Sequence, residues 1–303
     1  MTHEPTLEQA YAVCRAIARR EAKNFYYAFV ALPAARKNAI CAIYAFMRKA
    51  DDLADDESMS REERRHHLDA WQAEWREARD GSSTADPVFI AVRDATQRFA
   101  IPFALLDELV AGTTMDLKPT ANDAPDTYAT FADLYGYCYL VASVVGLVCI
   151  RIFGYKDRAA EKLAEETGIA FQLTNILRDV AEDAERARVY LPLEDLTAHH
   201  VALDSLLKRP HGTSPTPQER ALLSDIGQRA EKYYQSAQAL LPLIDRESRP
   251  ALWVLVAIYH ALLTRIRRAD YDVFTQRASV PLVQKLAILV VGLARMTAAR
   301  LFA

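Results

Sequence analysis

Aspartates at one helical spacing, repeated in two distant segments, are the residues of this chain best suited to chemistry. In the segment AIYAFMRKADDLADDE, residues 42–57, one helical face runs from Ile40 through Tyr44, Met47 and Asp51 to Asp55. In GIAFQLTNILRDVAEDAE, residues 168–185, the same steps from Gly168 give Gln172, Asn175, Asp179 and Asp183. Each stripe begins apolar or small and ends in an Asp-x-x-x-Asp pair. Aspartate is a poor residue for a helix interior, so two such pairs within long helices call for a reason. Four carboxylates turned into a bundle without counter-charge would be very costly, and divalent cations between them remove the cost. Oxygen donors with no nearby Cys or His suit Mg²⁺, with Mn²⁺ as the alternative ion. Mg²⁺ takes a few carboxylates together with water and substrate phosphates. The pattern therefore predicts a phosphate-bearing substrate.

Other metal and phosphate chemistries fit less well. A di-iron bundle needs two Glu-x-x-His motifs. The chain has one, Glu63 to His66, inside the charged run REERRHH. Neither GxGxxG nor GxxxxGK[ST] occurs, so no glycine loop cradles a nucleotide. Phosphate would be held by metal and by basic side chains, for which Lys23, Arg48, Arg178, Arg188 and Arg277 are candidates.

These segments need a scaffold of helices, and the composition supplies one. The chain has 303 residues, 51% hydrophobic and 25% charged, with only 9 glycines, which argues against a turn-rich sheet fold. Helical periodicity places helices near residues 6–20, 35–56, 60–79, 88–99, 103–116, 130–153, 157–187, 217–241, 248–268 and 280–300. Breaks fall at Leu32-Pro33, Asp80 to Ser83, Lys118 to Thr120, Asp123 to Pro125 and Arg209 to Pro217, the last expected as a mobile loop. No strand-length alternation and no solenoid period is found, so one all-α domain over residues 1–303 is expected.

A net charge of −3 excludes the basic stripe of a nucleic-acid binder. Cys14, Cys41, Cys138 and Cys149 follow no ligand spacing and read as buried small hydrophobes of a reducing compartment. Residues 1–9 lack the features of a secretory signal, and no stretch spans a bilayer. The apolar run Leu286 to Ala294 reads as the closing helix of a bundle, with a peripheral membrane contact as the alternative. A cytoplasmic protein, monomer or homodimer, is expected.

Four blocks together, REAKNFYYAF, AIYAFMRKADDLADD, YCYLVASVVG and FQLTNILRDVAEDAERARVYLP, resemble the squalene/phytoene synthase family of trans-isoprenyl diphosphate synthases. The resemblance runs from about residue 20 to 290, and the block from Gln172 to Asp183, followed by Tyr190-Leu191-Pro192, is its most specific part. It implies a single-domain isoprenoid-synthase helical bundle around a central hydrophobic cavity. It further implies the Mg²⁺-dependent head-to-head joining of two allylic prenyl diphosphates. Carried onto this chain, Asp51, Asp55, Asn175, Asp179 and Asp183 would be the metal ligands. Lys23, Asn24, Arg48, Arg178, Tyr259 and Arg277 would contact diphosphate. Tyr44, Tyr137 and Gln172 would line the reacting end of the cavity, with Phe25, Val141 and Val145 along the prenyl chain. Tyr44, Tyr137, Arg48 and Arg178 would act in catalysis itself. Aromatic faces including Phe171 would stabilise carbocations by about 0.5–2 kcal/mol each.

Two positions depart from the family pattern. Ala22 and Asn24 stand where serines are usual, and Ser143 replaces the glycine of a Val-Ala-Gly block, adding a hydroxyl to the expected cavity wall. The tail YHALLTRIRRADYDVFTQRASVP resembles bacterial members, which favours farnesyl diphosphate as substrate and presqualene diphosphate or squalene as product. Phytoene from geranylgeranyl diphosphate, and dehydrosqualene, are the alternatives. NADPH is implied only for squalene. A catalytically silent helical binding protein is disfavoured by the intact acidic residues, and a one-substrate terpene cyclase would leave a second substrate subsite without purpose.

Overall fold

The computed structural model describes residues 5–115, 117 and 125–301; the side chains of residues 23–25, 27 and 296–301 lie outside the description. The turns expected at Lys118 to Thr120 and Asp123 to Ala124 also lie outside the described residues.

Helix starts follow the local chemistry. Thr6 caps α1 (Leu7–Glu21), Ser60 caps α4 (Arg61–Arg79) and Thr216 caps α12 (Pro217–Leu240), each in a reciprocal capping box with Gln9, Glu63 and Glu219. Pro33 precedes α3 (Ala34–Ala54) and Pro87 opens α5 (Pro87–Arg98). The remaining long helices are α6 (Phe103–Met115), α9 (Ala159–Glu185), α13 (Arg249–Arg268) and α14 (Leu282–Leu301). The segment expected as one helix over 130–153 is continuous but not regular. It runs as α7 (Phe131–Cys138), a π-helical turn (Tyr139–Ser143) and α8 (Val144–Phe153).

Three differences from the sequence reading have local causes. Residues 23–30 form a separate helix, α2 (Lys23–Val30), packed on α13, where the sequence shows no cap to announce it. Helix α3 stops at Ala54 rather than 56. Asp55 is its C-cap, and Asp56 instead accepts from the Ser58 backbone and hydroxyl in the following turn. Short helices α10 (Leu193–Ala198) and α11 (Leu203–Leu207) are too brief for a period to show. A two-residue parallel pair, β1 (Asp126–Thr127) with β2 (Arg188–Val189), ties the segment before α7 to the end of α9.

Helix α9 is the axis of the bundle, in contact with α12, α8, α13 and the π-helical turn. Gly168 makes the last contact possible: a Cβ there would sit 2.5 Å from the Ser143 Cα. Gly146 of α8 does the same on the other side, where a Cβ would approach the Ala164 carbonyl oxygen to 2.9 Å. Away from α9, α1, α3, α4 and α5 close over Phe46, Trp75 and Phe89, which are fully buried. The acidic halves of α3 and α9 are thus carried on helices anchored by separate parts of the core.

Candidate active site

Two adjoining cavities open between α3, α8, α9 and their neighbours. The first, about 330 Å³, is apolar and is lined by Phe29 of α2, Ile43 and Tyr44 of α3, Val145 of α8, Phe171 of α9 and Leu252 of α13. The second, about 470 Å³, is polar and is lined by Asp51, Asp55, Thr113, Tyr137, Arg178 and Asp179. Met47, Asp51, Val141, Gln172 and Asn175 border both. The helical stripes predicted from the sequence therefore run from the apolar cavity into the polar one, on both α3 and α9.

The polar junction is electrostatically incomplete. Burial, and then the neighbouring Asp55 carboxylate, push the Asp51 carboxyl up to about 6. Thr113 of α6 donates to its Oδ1 at 3.4 Å. Burial, and then Asp179, push Asp183 up to about 7. For Asp179 burial is outweighed by two guanidiniums, which hold the carboxyl below its usual range. Arg178 donates its Nε to Oδ1 at 2.8 Å, and Arg277 donates Nη2 to Oδ1 at 2.6 Å and Nε at 3.0 Å. Asn175 donates to the Gln172 Oε1 at 3.3 Å, while its own Oδ1 is buried and accepts nothing among the described residues. An orphaned amide oxygen beside carboxylates that resist ionisation is the environment a hard divalent cation would complete. Among the described residues no three acidic side chains converge closely enough to cage an ion alone. The donor set therefore suits Mg²⁺ bound jointly with water and phosphate oxygens, not a closed all-protein site.

Most residues singled out from the sequence meet here. Tyr44, Arg48, Val145 and Tyr259 line the apolar cavity, and Val141 and Gln172 border both. Arg48 pairs with Asp52 at 2.5 Å, one turn on, and not with Asp51. Tyr259 stacks on Phe171 with ring centroids 4.4 Å apart, and burial pushes its hydroxyl, like that of Tyr44, up to about 12. Tyr137 lines the polar cavity and stacks on Tyr190 at 4.9 Å. Arg277 lies outside both linings and reaches in only through Asp179, with Glu182 on its other side at 3.1 Å. Asp183 faces a small cleft shared with Arg188 and Tyr190, next to the polar cavity but not in its lining. The side chains of Lys23, Asn24 and Phe25 lie outside the description.

One expectation is overturned. Ser143 adds no hydroxyl to the cavity wall. It is fully buried in the seam with α9, where its Oγ donates to the Glu165 carbonyl at 2.6 Å. The π-helical turn rotates this position away from the cavity while presenting Val141 and Ala142 to it. Other lining residues carried too little signal in the sequence. Thr113 sits in an undistinguished helix, and the only hint is the small pair Gly112-Thr113 on a face that must approach another helix. Phe29 and Leu252 look like ordinary core residues. The Arg209 to Pro217 loop, expected to be mobile, is held at its start by the buried pair of Arg209 with Glu219 and by Arg209 over the Phe274 ring at 4.0 Å.

The chain is similar to known proteins over nearly its whole length. The family model for squalene/phytoene synthase matches residues 18–284. The chain is 35% identical over 292 residues to a phytoene synthase of Mycobacterium tuberculosis (strain ATCC 25618 / H37Rv), covering 95% of this chain and 92% of the relative. It is 34% identical over 306 residues to the 15-cis-phytoene synthase of Synechococcus elongatus, covering 96% and 95%. Among solved structures it resembles a ligand-bound dehydrosqualene synthase, with a TM-score of 0.83 at 29% identity over 96% of this chain and 98% of the other. It also resembles squalene synthase HpnC from Alicyclobacillus acidocaldarius, with a TM-score of 0.78 at 27% identity over 88% and 96%.

Proposed function

The chain belongs to the squalene/phytoene synthase family, and from that premise we propose that it joins two geranylgeranyl diphosphates head to head to give phytoene. The family makes it a prenyltransferase of the head-to-head type. The observation that carries the reaction class is the pair of cavities with the acidic and amide cluster at their junction. Apolar chain and diphosphate can be separated there by polarity alone. The C20 substrate follows the near-full-length relatives, which are phytoene synthases. A second reading, farnesyl diphosphate to a C30 product by way of presqualene diphosphate, is favoured by the likeness to dehydrosqualene synthase.

Mg²⁺, or Mn²⁺, held by Asp51, Asp55, Asn175, Asp179 and Asp183 would offset the diphosphate charge when bound. Arg48, Arg178 and Arg277 would donate to diphosphate oxygens, which frees Asp179 from its guanidinium partners. The allylic C–O bond of one substrate breaks, and the diphosphate leaves with the electron pair. The cation lies against the faces of Tyr44, Phe171 and Tyr259, in a cavity whose apolar walls exclude water. The double bond of the second substrate attacks, and loss of one proton closes a cyclopropylcarbinyl diphosphate. The Tyr44 and Tyr259 hydroxyls stay protonated at neutral pH, which points to released diphosphate as the proton acceptor. A second ionisation, rearrangement and proton loss give phytoene with no reductant; only squalene would require hydride from NADPH.

The test is product analysis by gas chromatography and mass spectrometry. Purified protein is incubated with Mg²⁺ and each prenyl diphosphate, with and without NADPH, followed by phosphatase. A C40 hydrocarbon formed without NADPH is expected. A C30 product from farnesyl diphosphate alone would establish the second reading, and no product from either substrate would sink both.

A further inference from the structure

Helix α14 is amphipathic in the wrong sense for a helix against water. Between residues 282 and 294 every exposed side chain is apolar: Leu282, Val283, Leu286, Ala287, Val290, Val291 and Ala294. Val283 is 79% exposed and Val290 65%. At about 100° per residue these positions sweep roughly half the helix circumference. Packing does not require this face. The inner side already meets the bundle through Ile288, Leu293 and Gly292, where a Cβ would strike the Val254 Cγ2 at 2.4 Å. A surface helix ordinarily turns its polar side outward, and a contiguous exposed apolar patch marks an interaction site.

The charges around this face select the partner. Residues 281–301 contain Lys285, Arg295 and Arg300 and no acidic residue, although the whole chain has a net charge of −3. Arg265 of α13 lies against one edge of the helix, with both Nε and Nη2 on the Gln284 Oε1 at 3.2 and 3.1 Å. Arg295 lies over the Trp253 ring at 4.2 Å, near the other end. Cations thus edge an apolar face that carries no carboxylate to pair with them. Pairing two copies of α14 would bring cation to cation with nothing of opposite sign on the helix. A lipid surface with anionic headgroups satisfies both features at once.

We infer that α14 docks this protein, lying flat, on an anionic lipid bilayer, with Leu282, Val283, Leu286 and Val290 in the acyl boundary and Arg265 and Arg295 at the headgroups. Helix α14 packs on α2 and α13, the helices that contribute Phe29, Leu252 and Tyr259 to the apolar cavity. Docking therefore sets the bilayer one helix layer from that cavity. The inference rests on α14 and does not depend on which product the enzyme forms.

The full chain is floated with vesicles of phosphatidylcholine, with and without phosphatidylglycerol, across a salt series. Binding to the anionic vesicles, weakening as salt rises, is expected, with at least about a tenfold loss in a Val283→Glu/Val290→Glu variant that keeps its melting temperature. If the glutamates impair folding, Val283→Ser with Val290→Ser reads out the same face. The proposal is overturned if neither vesicle binds, if neutral vesicles bind equally well, or if the variants float undiminished. It is also overturned if sedimentation shows a dimer that these substitutions dissociate, which would make a second copy the occupant. Vesicle binding is read without turnover, so its failure and a failed product assay are separate results.

Discussion

The two cavities share helices and even side chains, yet one is built to hold hydrocarbon and the other charge. Along α3 the change occurs between Tyr44 and Asp51, and along α9 between Phe171 and Asp179, about two turns in each case. The apolar cavity is complete as it stands, with aromatic and aliphatic walls in contact. The polar cavity is not: Asp51 resists ionisation, Asp179 borrows Arg178 and Arg277, and the Asn175 oxygen has no partner among the described residues. The difference indicates which half is satisfied by its own side chains and which half charged ligands would complete.

The comparison is tested most severely at the carboxylates. Asp179→Asn and Asp51→Asn should each lower turnover by about 10²-fold or more while the helical fold, read by circular dichroism, is retained. Near-normal turnover in either would remove the metal assignment. Arg178→Ala should come next, with a loss of about tenfold or more, seen mainly as a raised KM for the diphosphate substrate. If melting falls and KM does not move, Arg178 is a structural partner of Asp179 only.

On the packing side, Gly168→Ala should cost about 1–3 kcal/mol, because its Cβ would sit 2.5 Å from the Ser143 Cα. Calorimetry reads the loss, and an unchanged melting temperature would mean that α9 and the π-helical turn can separate freely. The polar cavity should also show itself through pH. The folded-state values of Asp51 and Asp183, about 6 and about 7, lie above the ordinary carboxylate value. Without metal the folded protein therefore holds these protons longer than the unfolded chain. Stability from the neutral carboxyls is present below about pH 4 and is lost as pH rises through 4 to 7, on the order of 3 kcal/mol for Asp51. Asp51→Asn should flatten that part of the melting-temperature profile; a profile identical to the parent would contradict the burial of Asp51. The smallest effect is expected from Ser143→Gly. About 1 kcal/mol of stability should be lost with the hydroxyl's bond to Glu165, and product distribution should not change. A shifted product would return Ser143 to the cavity wall.

Much of the site was legible because both stripes lie on single helices, where an increment of three or four residues fixes a common face. Asp51, Asp55, Asn175 and Asp179 therefore meet as their spacing predicted. Thr113 and Phe29 were not legible, since a threonine or phenylalanine in an apolar helix looks the same whether it faces core or cavity. Ser143 was misplaced for a similar reason. A π-helical turn adds a residue to one turn and rotates the rest of the helix, and no side chain in YLVAS announces it.

By itself the sequence determined the helical class, through its periodicity and scarcity of glycine, and put each acidic stripe on one face of a single helix, through increments of three and four residues. Only the tertiary structure decided the features that depend on contacts between segments far apart in the chain. It joined the two acidic stripes across a shared wall and set Arg277 on an aspartate 98 residues away. It also left Leu282, Val283, Leu286, Val290 and Val291 of α14 exposed on one face. Local periodicity records which face a helix buries, but not what that face meets.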